Sequence, residues 1–547
     1  MDYRGLSLLP YARMWFMAGL ACIFSTLTLC LPAEEIRFVD VTESAGLKEP
    51  LLGIMGHGGA FGDVDGDGRI DLYVGGFGDR PNEESEPADG PMPNVLLKNL
   101  GDGRFERWKQ PAVETYARTS GAVFADLDND GDLELYSANN TKGKTKWESG
   151  PQRQAQLAYC QLFRNDDGKL IDISQASGAC LKTLGTARNI GVFDYDGDGL
   201  LDLFVVEDRF PKNPRSILYK NLGDWKFKDV NAEVGLPDDI FGLGLAVADI
   251  NDDGRPDFFV GHSNRMFLSA KGNKYVESDA LNKTFAWTPA DNEDWPCGAA
   301  FGDLNRDGLL DLVLAIHHEK ARNRIYLNQG LTDGVPQFRD VTSQCGLPKQ
   351  LANKSPHVEI QDFDNDGWPD IYLSTAWLDD DGSITPVIYR NLGVKGGVPK
   401  FKPNRGNKPN DNIVYFPAGP SGDFDNDGRI DLFLINWFRG NHSRLLRNES
   451  ARENHWLTVK VRGKTFNRQG IGSQVKIYSA GGLGKENALL GFQELSTGYG
   501  YASGQPAVCH FGLGSVEKVD LEVKLPNGKT VRRAGVTDIN QVITIEE

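Results

Sequence analysis

The chain has 547 residues and a formal net charge of −17, from 59 Lys and Arg against 76 Asp and Glu. Nucleic acid and anionic membrane surfaces both require clustered basic residues, so this surplus argues against both as partners. Charged residues make up 25% and hydrophobic residues 40%, as in ordinary globular proteins, which excludes wholesale disorder. The 63 glycines follow no Gly-X-Y period, which excludes collagen and favours turn-rich β structure.

Residues 1–33 have the pattern of an export signal. Arg4 and Arg13 precede an uncharged run, Met14–Leu31, and Ala33 ends a sequence suited to cleavage. We therefore predict a cleaved signal and a secreted, periplasmic or cell-surface location. Retention of the segment as a single membrane anchor stays open, because its 18 apolar residues nearly span a bilayer.

Five cysteines lie beyond the predicted signal, and export permits disulfides. We favour a Cys160–Cys180 bond because these residues are close in sequence, and Cys297–Cys345 is a second candidate pair. The odd number leaves at least one thiol free or paired outside the chain. The sequence alone leaves the pairing open.

The acidic residues are concentrated in a repeated motif. The pattern Asp-x-(Asp/Asn)-x-Asp-Gly-x-x-(Asp/Glu) occurs seven times, at intervals of 54–68 residues. We number these acidic loops 1 to 7 and the positions within each loop 1 to 9. Positions 1, 3, 5 and 9 are occupied, loop by loop, by Asp63, Asp65, Asp67 and Asp71; Asp126, Asp128, Asp130 and Glu134; Asp194, Asp196, Asp198 and Asp202; Asp249, Asn251, Asp253 and Asp257; Asp303, Asn305, Asp307 and Asp311; Asp362, Asp364, Asp366 and Asp370; and Asp423, Asp425, Asp427 and Asp431.

These residue types at this spacing indicate calcium. Ca²⁺ takes about six to eight oxygen ligands, and alternate side chains of a tight loop can converge on one point. Gly at position 6 permits the sharp turn, position 7 offers a backbone carbonyl, and the acid at position 9 closes the cage. We predict up to seven Ca²⁺, one per loop, and disfavour Mg²⁺ because it requires a smaller octahedral site. Asn251 and Asn305 each remove one charge, so we expect loops 4 and 5 to bind more weakly, and the longer Glu134 makes loop 2 a poorer match.

A solvated acidic turn and an EF-hand loop both fit the motif less well. A solvated turn would account for one copy, but not for seven copies with acids at the same four offsets. An EF-hand loop needs Glu at position 12 and a helix on each side. Position 12 here is Val, Ser or Leu, and the residues after each loop alternate as in a strand.

Each loop is flanked by strand patterns. A run of small residues such as Gly58–Gly62 precedes the loop, and an alternating run such as Asp311–Leu314 follows it. A third strand ends near an Asn, as in Ile217–Asn221, and an aromatic residue such as Phe227 opens a fourth. Four strands in each of seven repeats predict an all-β fold with a seven-bladed β-propeller over residues 34–450.

The two ends of the propeller match each other. The motif of the fourth strand also occurs at Phe38–Thr42, before loop 1, whereas the seventh repeat reaches its third strand and then changes in sequence. We predict that Phe38–Thr42 completes the last blade and removes the open sheet edge. Residues 451–547 alternate as strands, with a hairpin turn at Gly528, and predict a small β-sandwich-like domain.

The repeats resemble FG-GAP/VCBS repeats, the calcium-loop blades also found in integrin α-subunit propellers. The resemblance rests on the loop acids and on the lead-ins Phe61–Asp63 and Phe301–Asp303. Residues 453–547 resemble an ASPIC/UnbV domain, through segments such as Asn454–Gly463 and His510–Gly514, with Leu525 where that family often carries Trp. The combination is similar to that of the cartilage acidic protein family. The resemblance implies a secreted calcium-binding protein with a role in extracellular interaction or adhesion.

Short catalytic motifs are absent from the sequence, which has no Gly-x-Ser-x-Gly, no His-Glu-x-x-His, no P-loop and no dinucleotide fingerprint. We therefore predict no catalytic residues and no organic cofactor, but a binding or adhesion module with structural calcium and an extracellular protein or carbohydrate ligand. A scaffold that tethers a partner at the cell envelope is a related hypothesis. The alternative is a propeller enzyme that acts on extracellular polysaccharide at the channel mouth. His57, before the first inner strand, is placed to face that channel, and His317 and His318 follow loop 5.

Overall fold

The computed structural model describes residues 36–78, 92–140, 159–182, 185–286, 295–318, 322–347, 353–405, 412–437 and 441–547. The predicted export signal and its cleavage site lie outside these residues. The described residues form one compact unit that consists mainly of β-strands. None of the helices in this part of the chain is both long and apolar enough to cross a membrane.

Seven sheets of the described residues are each built on four antiparallel strands, with one acidic loop between the first and second strands. Strand β1 (Phe38–Asp40) is followed in blade 1 by β2 (Gly58–Gly62), β3 (Asp71–Gly75), β4 (Val95–Gly101) and β5 (Arg104–Arg107); in blade 2 by β6 (Thr119–Ala125), β7 (Glu134–Asn139), β8 (Gln161–Asp166) and β9 (Lys169–Asp172); and in blade 3 by β10 (Ala187–Phe193), β11 (Asp202–Glu207), β12 (Ile217–Asn221) and β13 (Phe227–Asp229).

The remaining blades follow the same order. Blade 4 contains β14 (Gly242–Ala248), β15 (Asp257–His262), β16 (Arg265–Ala270) and β17 (Lys274–Glu277); blade 5 contains β18 (Trp295–Gly302), β19 (Asp311–His317), β20 (Arg324–Thr332) and β21 (Val335–Asp340); blade 6 contains β22 (Glu359–Gln361), β23 (Asp370–Leu378), β24 (Ile384–Val394) and β25 (Pro399–Pro403), with β26 (Asn412–Tyr415) paired to β23; and blade 7 contains β27 (Ser421–Gly422), β28 (Asp431–Leu434) and β29 (Arg444–Asn448). Short helices α1 (Ser174–Ser177), α2 (Asn231–Val234) and α3 (Asp279–Thr284) follow the fourth strands of blades 2, 3 and 4. The all-β prediction is confirmed, and the repeated four-stranded sheets are consistent with the predicted β-propeller.

A third-strand Asn links a blade to the blade before it. In blades 1, 2, 3, 6 and 7 its side-chain amide donates to the backbone carbonyl at position 2 of the preceding acidic loop, over 2.7–2.9 Å. The bond from Asn99 to Phe424 joins blade 1 to blade 7, so the series of sheets closes into a ring. Aromatic contacts link blades 3, 4 and 5, with ring centroids 6.1 Å apart for Phe193 and Phe258 and 5.0 Å apart for Phe285 and Tyr326.

Strand β1 is the outer strand of blade 7. It pairs antiparallel with β29, with Phe38 opposite Asn448 and Asp40 opposite Leu446. The Arg444 guanidinium lies 2.5 Å from the Asp40 carboxylate, and the Phe38 ring packs edge-on against Phe363 of blade 6 at 5.8 Å. The predicted closure of the last blade by Phe38–Thr42 is confirmed.

The C-terminal part folds as two sheets that share one core. The first sheet has the order β34 (Cys509–Gly514), β30 (His455–Arg462), β37 (Val542–Glu546); the second has the order β32 (Leu489–Glu494), β31 (Gln474–Ser479), β35 (Val519–Lys524), β36 (Thr530–Val536). A one-turn 3-10 helix, Glu486–Ala488, precedes β32. Leu457 and Phe511 of the first sheet and Ile477 and Leu521 of the second belong to the same buried cluster. This is the expected β-sandwich-like arrangement.

A segment of the C-terminal domain enters the centre of the propeller. We call Gly498–Gln505 the axial segment; it includes strand β33 (Ser503–Gly504), which runs parallel to the inner strand β2 of blade 1. The backbone N–H of Gly500 donates to the carbonyls of Leu245 in blade 4 and Ala299 in blade 5, over 3.0 and 2.8 Å. Gly500 has φ +77°, and a Cβ there would lie 2.5 Å from the His357 ring, so this close approach requires glycine.

Polar side chains hold the axial segment on its other sides. The Tyr501 N–H donates to His357 Nδ1 over 2.9 Å, and the Tyr499 hydroxyl donates to Glu359 over 2.9 Å, both in blade 6. The Ser503 hydroxyl oxygen accepts from the Gly419 N–H of blade 7 over 3.0 Å. The segment therefore bonds to the inner strands of several blades.

The proposed disulfides are wrong: all five cysteines of the described residues are free thiols. Cys297 and Cys345 belong to different hydrophobic clusters, which keeps them apart. Cys160 and Cys180 do share one cluster, but burial raises the pKa of Cys160 to about 11 and also raises that of Cys180. Such burial disfavours the thiolate through which disulfides form.

The ring closure predicts a large effect for Phe38→Ala. Phe38 is buried in the cluster between blades 6 and 7, so its truncation should lower the free energy of unfolding by about 3–5 kcal/mol, as for other buried Phe→Ala changes. Chemical denaturation monitored by tryptophan fluorescence measures this loss. The exposed Lys48→Ala is the control, and equal stability of the two variants would contradict closure by β1.

Candidate metal centres

Two left-handed residues shape each acidic loop. Gly at position 6 has φ between +82° and +107° in all seven loops, as expected for the sharp turn. Position 4 is also left-handed in all seven, with φ from +55° to +74°, and carries Gly, Asn or Asp in six loops and Arg306 in loop 5. Asn and Asp tolerate this region better than other non-glycine residues. The composition of position 4 is a signal that the sequence analysis missed.

The position-9 carboxylate joins three strands of each blade. One of its oxygens accepts from the backbone N–H at position 2, over 2.8–3.2 Å in all seven loops. The other oxygen accepts from a backbone N–H at the end of the third strand, over 2.6–3.3 Å. These acids are nearly inaccessible, with at most 1% exposure. Position 9 therefore fixes the loop to the sheet whether or not an ion is bound.

Positions 1 and 5 order the turn itself. In six loops the position-1 carboxylate accepts from the Gly N–H at position 6, over 2.6–3.0 Å. In all seven the position-5 carboxylate accepts from the N–H at position 7, over 2.8–3.1 Å. The loop backbone thereby directs the remaining carboxylate oxygens towards one another.

The structure brings together the acids at positions 1, 3 and 9 in the five loops that have an acid at each of these positions. Their ligand oxygens lie within 4.8 Å of one another in loops 1, 2, 3, 6 and 7. Glu134 takes part like the Asp residues, so its greater length does not prevent convergence. Position 5 lies outside these groups. In loops 4 and 5 the amide of Asn251 donates to Asp257 over 3.2 Å and that of Asn305 donates to Asp307 over 2.7 Å.

Burial and mutual repulsion make these carboxylates costly to ionise. Burial raises the pKa of Asp71 to about 7, of Asp257 to about 8 and of Glu134 to about 9, although backbone hydrogen bonds oppose the rise. The pKa of Asp362 is also raised, first by burial and then by the charges of Asp364 and Asp366. Ionised carboxylates packed in this way require a compensating positive charge.

Several buried loop oxygens have no hydrogen-bond partner. They are one oxygen each of Asp63, Asp65, Asp126, Asp196 and Asp425, in loops 1, 2, 3 and 7. Buried polar atoms of folded proteins almost always have a partner, so these oxygens indicate a missing ligand. Oxygen-only ligand sets on a turn of this kind suit a hard cation such as Ca²⁺. The residues present therefore fit calcium.

The histidines singled out from the sequence have structural contacts. His57 faces the axis as expected, where its Nδ1 lies 2.8 Å from the Tyr501 hydroxyl of the axial segment and its ring packs on Trp437 at 4.4 Å. His317 stacks on Trp295 with nearly parallel rings 5.6 Å apart, and burial lowers the pKa of His317 to about 3. His318 is buried at the end of the same blade.

Comparison with protein families and with characterised proteins agrees with this architecture. The FG-GAP-like repeat family matches residues 63–137, 194–260 and 303–373, and the ASPIC and UnbV family matches residues 463–547. Cartilage acidic protein 1 of Mus musculus is 26% identical over 531 residues, which cover 90% of this chain and 74% of that protein. The Homo sapiens protein of the same name is 26% identical over 93% of this chain and 77% of its own length. Integrin alpha-7 of Homo sapiens is 27% identical over 34% of this chain and 18% of its own length.

The chain therefore carries FG-GAP-like repeats followed by an ASPIC and UnbV domain, and it is homologous to cartilage acidic protein 1 and to the repeats of integrin alpha subunits.

Proposed function

We propose that this protein is a secreted or cell-surface interaction module whose β-propeller is stabilised by Ca²⁺ in its acidic loops. The observation that carries the proposal is the convergence of the carboxylates at positions 1 and 3 on a buried position-9 acid, with several loop oxygens that have no hydrogen-bond partner. The acids at positions 1, 3, 5 and 9 and the position-7 carbonyl would hold each ion. Bound Ca²⁺ supplies the positive charge that these carboxylates lack.

The acidic loops also form the surface on which the C-terminal domain rests. Asn365 of loop 6 contacts His510 Nε2 over 2.8 Å, and its carbonyl accepts from the Gly514 N–H over 2.8 Å. Asn129 of loop 2 accepts from the Arg468 N–H over 2.7 Å. Ions that order the loops therefore also order the surface that contacts the C-terminal domain. Because the axial segment belongs to that domain, its position depends on the same surface.

The axial segment favours a binding module over chemistry inside the channel. It bonds to residues of the inner strands, or next to them, in blades 1, 4, 5, 6 and 7 and so occupies part of the channel. The polysaccharide-enzyme alternative has a place to act in a cavity of about 430 Å³ between the loops and the C-terminal domain. Both Asp63 of loop 1 and Lys460 of the C-terminal domain line this cavity. Robust turnover of a polysaccharide with calcium present would overturn the binding-module proposal.

Calcium should raise the melting temperature of the metal-free protein. Each site stabilises the folded state by about 2.7 kcal/mol when the free ion is at 100 times its dissociation constant. Differential scanning calorimetry with Ca²⁺ and with a chelator measures the shift, and elemental analysis of desalted protein counts the ions. Asp370→Asn should lose part of the shift, whereas the exposed Glu517→Gln should retain it. An unchanged melting temperature with no bound calcium would refute the proposal.

The metal-free protein should lose stability as the pH rises from about 5 to 9. The folded-state pKa values of Asp71, Asp257 and Glu134, about 7, 8 and 9, lie above those of unfolded Asp and Glu. A raised folded pKa adds stability that is present at low pH and lost as the pH passes through the folded value. Melting scans of metal-free protein check this trend, and saturating Ca²⁺ should abolish it. A metal-free melting temperature that stays level or rises over this range would contradict it.

The interaction role predicts calcium-dependent capture of an extracellular ligand. The immobilised protein should retain material from native extracellular extracts with Ca²⁺ and release it with chelator, because loop order depends on the ion. A variant with Asn at position 3 of the five loops that carry Asp there, which leaves the position-9 acids intact, serves as the calcium-weakened comparison. Identical capture in Ca²⁺ and chelator would contradict a calcium-dependent interaction.

A further inference from the structure

The third strand of each blade carries a second repeated signal. In the blades with Asp at position 3 of the loop, the residue just before the third-strand Asn is basic: Lys98, Arg164, Lys220, Arg390 and Arg447. In the two blades with Asn at position 3, the same strand position is leucine, Leu268 and Leu327. The pairing of the third and fourth strands shows that these positions are equivalent. Lys220 lies opposite Lys228, which follows the buried Phe227, and Leu268 lies opposite Val276, which follows the buried Tyr275.

Three of the bases contact the position-3 carboxylate directly. Lys98 pairs with Asp65, and Lys220 pairs with Asp196 and lies 2.9 Å from Asp198. Arg390 Nε lies 2.5 Å from Asp364, and its terminal nitrogen lies 2.9 Å from Asp366. The position-3 carboxylates of the last two pairs are 8% and 2% exposed, so solvent screens these charges weakly.

The other two bases act on their loops through space. Arg164 hydrogen-bonds Asp166 at 2.7 Å, and Arg447 lies 2.5 Å from Glu449. The pKa of Arg164 is raised, first by Asp166 and further by the charges of Asp128 and Glu134 of loop 2. Arg447 opposes the rise in the pKa of Asp425 that burial and Asp427 cause. All five bases therefore experience the field of the acidic loop beside them.

Counting only positions 1, 3, 5 and 9 of the loop together with the third-strand base gives every blade the same charge; the charged residues at positions 4 and 7, such as Asp132 and Arg255, are outside this count. Four carboxylates and one base leave three net negative charges, and the three carboxylates beside Leu268 or Leu327 also leave three. The Asn amides of loops 4 and 5 hydrogen-bond loop carboxylates, as the bases do in blades 1, 3 and 6. At the ligand positions and the third-strand position, the pair of Asp with a base therefore carries the same net charge as the pair of Asn with leucine.

We propose that Lys98, Lys220 and Arg390, the bases that contact the position-3 Asp, are positioning residues of the metal site. Each neutralises that Asp while the loop is empty and sets the net charge that the ligand positions offer to the ion. The claim about the charge offered to the ion rests on the proposed calcium sites, whereas the claim about the empty loop does not. The proposal revises the expectation that loops 4 and 5 bind more weakly on charge alone, because their missing acid is matched by a missing base. The ion and the base compete for the same carboxylate, so removal of the base should increase the response to calcium.

The experiment replaces the Asp–base pair of three blades with the Asn–leucine pair. The variant K98L/K220L/R390L removes the three bases in direct contact, and the further changes D65N, D196N and D364N give blades 1, 3 and 6 the Asn–leucine pair of blades 4 and 5. Melting of the metal-free proteins at pH 8 and low salt should show a fall of roughly 2–5 °C for the base-deleted variant and recovery of at least half of it in the compensated variant. Lys402→Leu, on the fourth strand opposite Arg390, is the matched control and should have no effect.

Calcium titration of the same set separates the two proposals. The calcium-induced rise in melting temperature should be larger in the base-deleted variant than in the wild type. Absence of any rise in all variants refutes the calcium sites, while the metal-free comparison still tests the role of the base. An unchanged metal-free melting temperature after base deletion, or a further fall when the Asn changes are added, overturns the inference. If the triple variant does not fold, K220L and D196N/K220L provide the same comparison in one blade.

Discussion

The structure depends on the burial of like-charged carboxylates in seven tight turns. The sharp turn of each acidic loop is held by hydrogen bonds from its backbone N–H groups to carboxylate oxygens. These bonds also bring three or four acids together within one loop. Burial raises the pKa of the position-9 acids, which shows that their ionised form is poorly solvated where they lie. A bound cation would relieve this cost, which is the physical basis of the proposed calcium sites.

The loops transmit this constraint through the whole molecule. The position-9 carboxylate ties the loop to the third strand, and the third-strand Asn then reaches the loop of the preceding blade, as Asn221 does to Leu127. On their outer side, loops 2 and 6 bond the C-terminal domain through Asn129 and Asn365. Loss of order in one loop would therefore weaken a blade, a junction between blades and the seat of a second domain. Each copy of the motif therefore has the same role, which is to hold one blade together and to join it to its neighbour.

Much of this architecture was predictable from the sequence. Periodic small, acidic and alternating segments indicate the blades, and the recurrence of the Phe38–Thr42 motif identified the closing strand. Glycine at position 6 could be assigned because glycine adopts the positive φ of a sharp turn without steric cost. These features share a local physical cause, so the residues concerned carry their signal without knowledge of distant contacts.

The remaining features depend on contacts that sequence spacing does not encode. The axial segment, Gly498–Gln505, has no charge and no clear alternation, and its role appears only when the two domains are placed together. The partnership of Lys220 with Asp196 requires the register between strands separated by a loop. The cysteine pairing was wrong because neither proximity in sequence nor a shared core is sufficient for a disulfide: Cys160 and Cys180 lie in one cluster and remain free thiols.

The most direct test of the calcium-stabilised propeller is a crystal structure of the protein grown with Ca²⁺, with anomalous scattering recorded from the metal. The account predicts an anomalous peak in each four-acid loop, about 2.3–2.6 Å from carboxylate oxygens at positions 1, 3 and 9. It also predicts that Lys98, Lys220 and Arg390 move away from the position-3 acids as the ion takes their place. Loops that contain only water, with these ion pairs intact at saturating calcium, would contradict it.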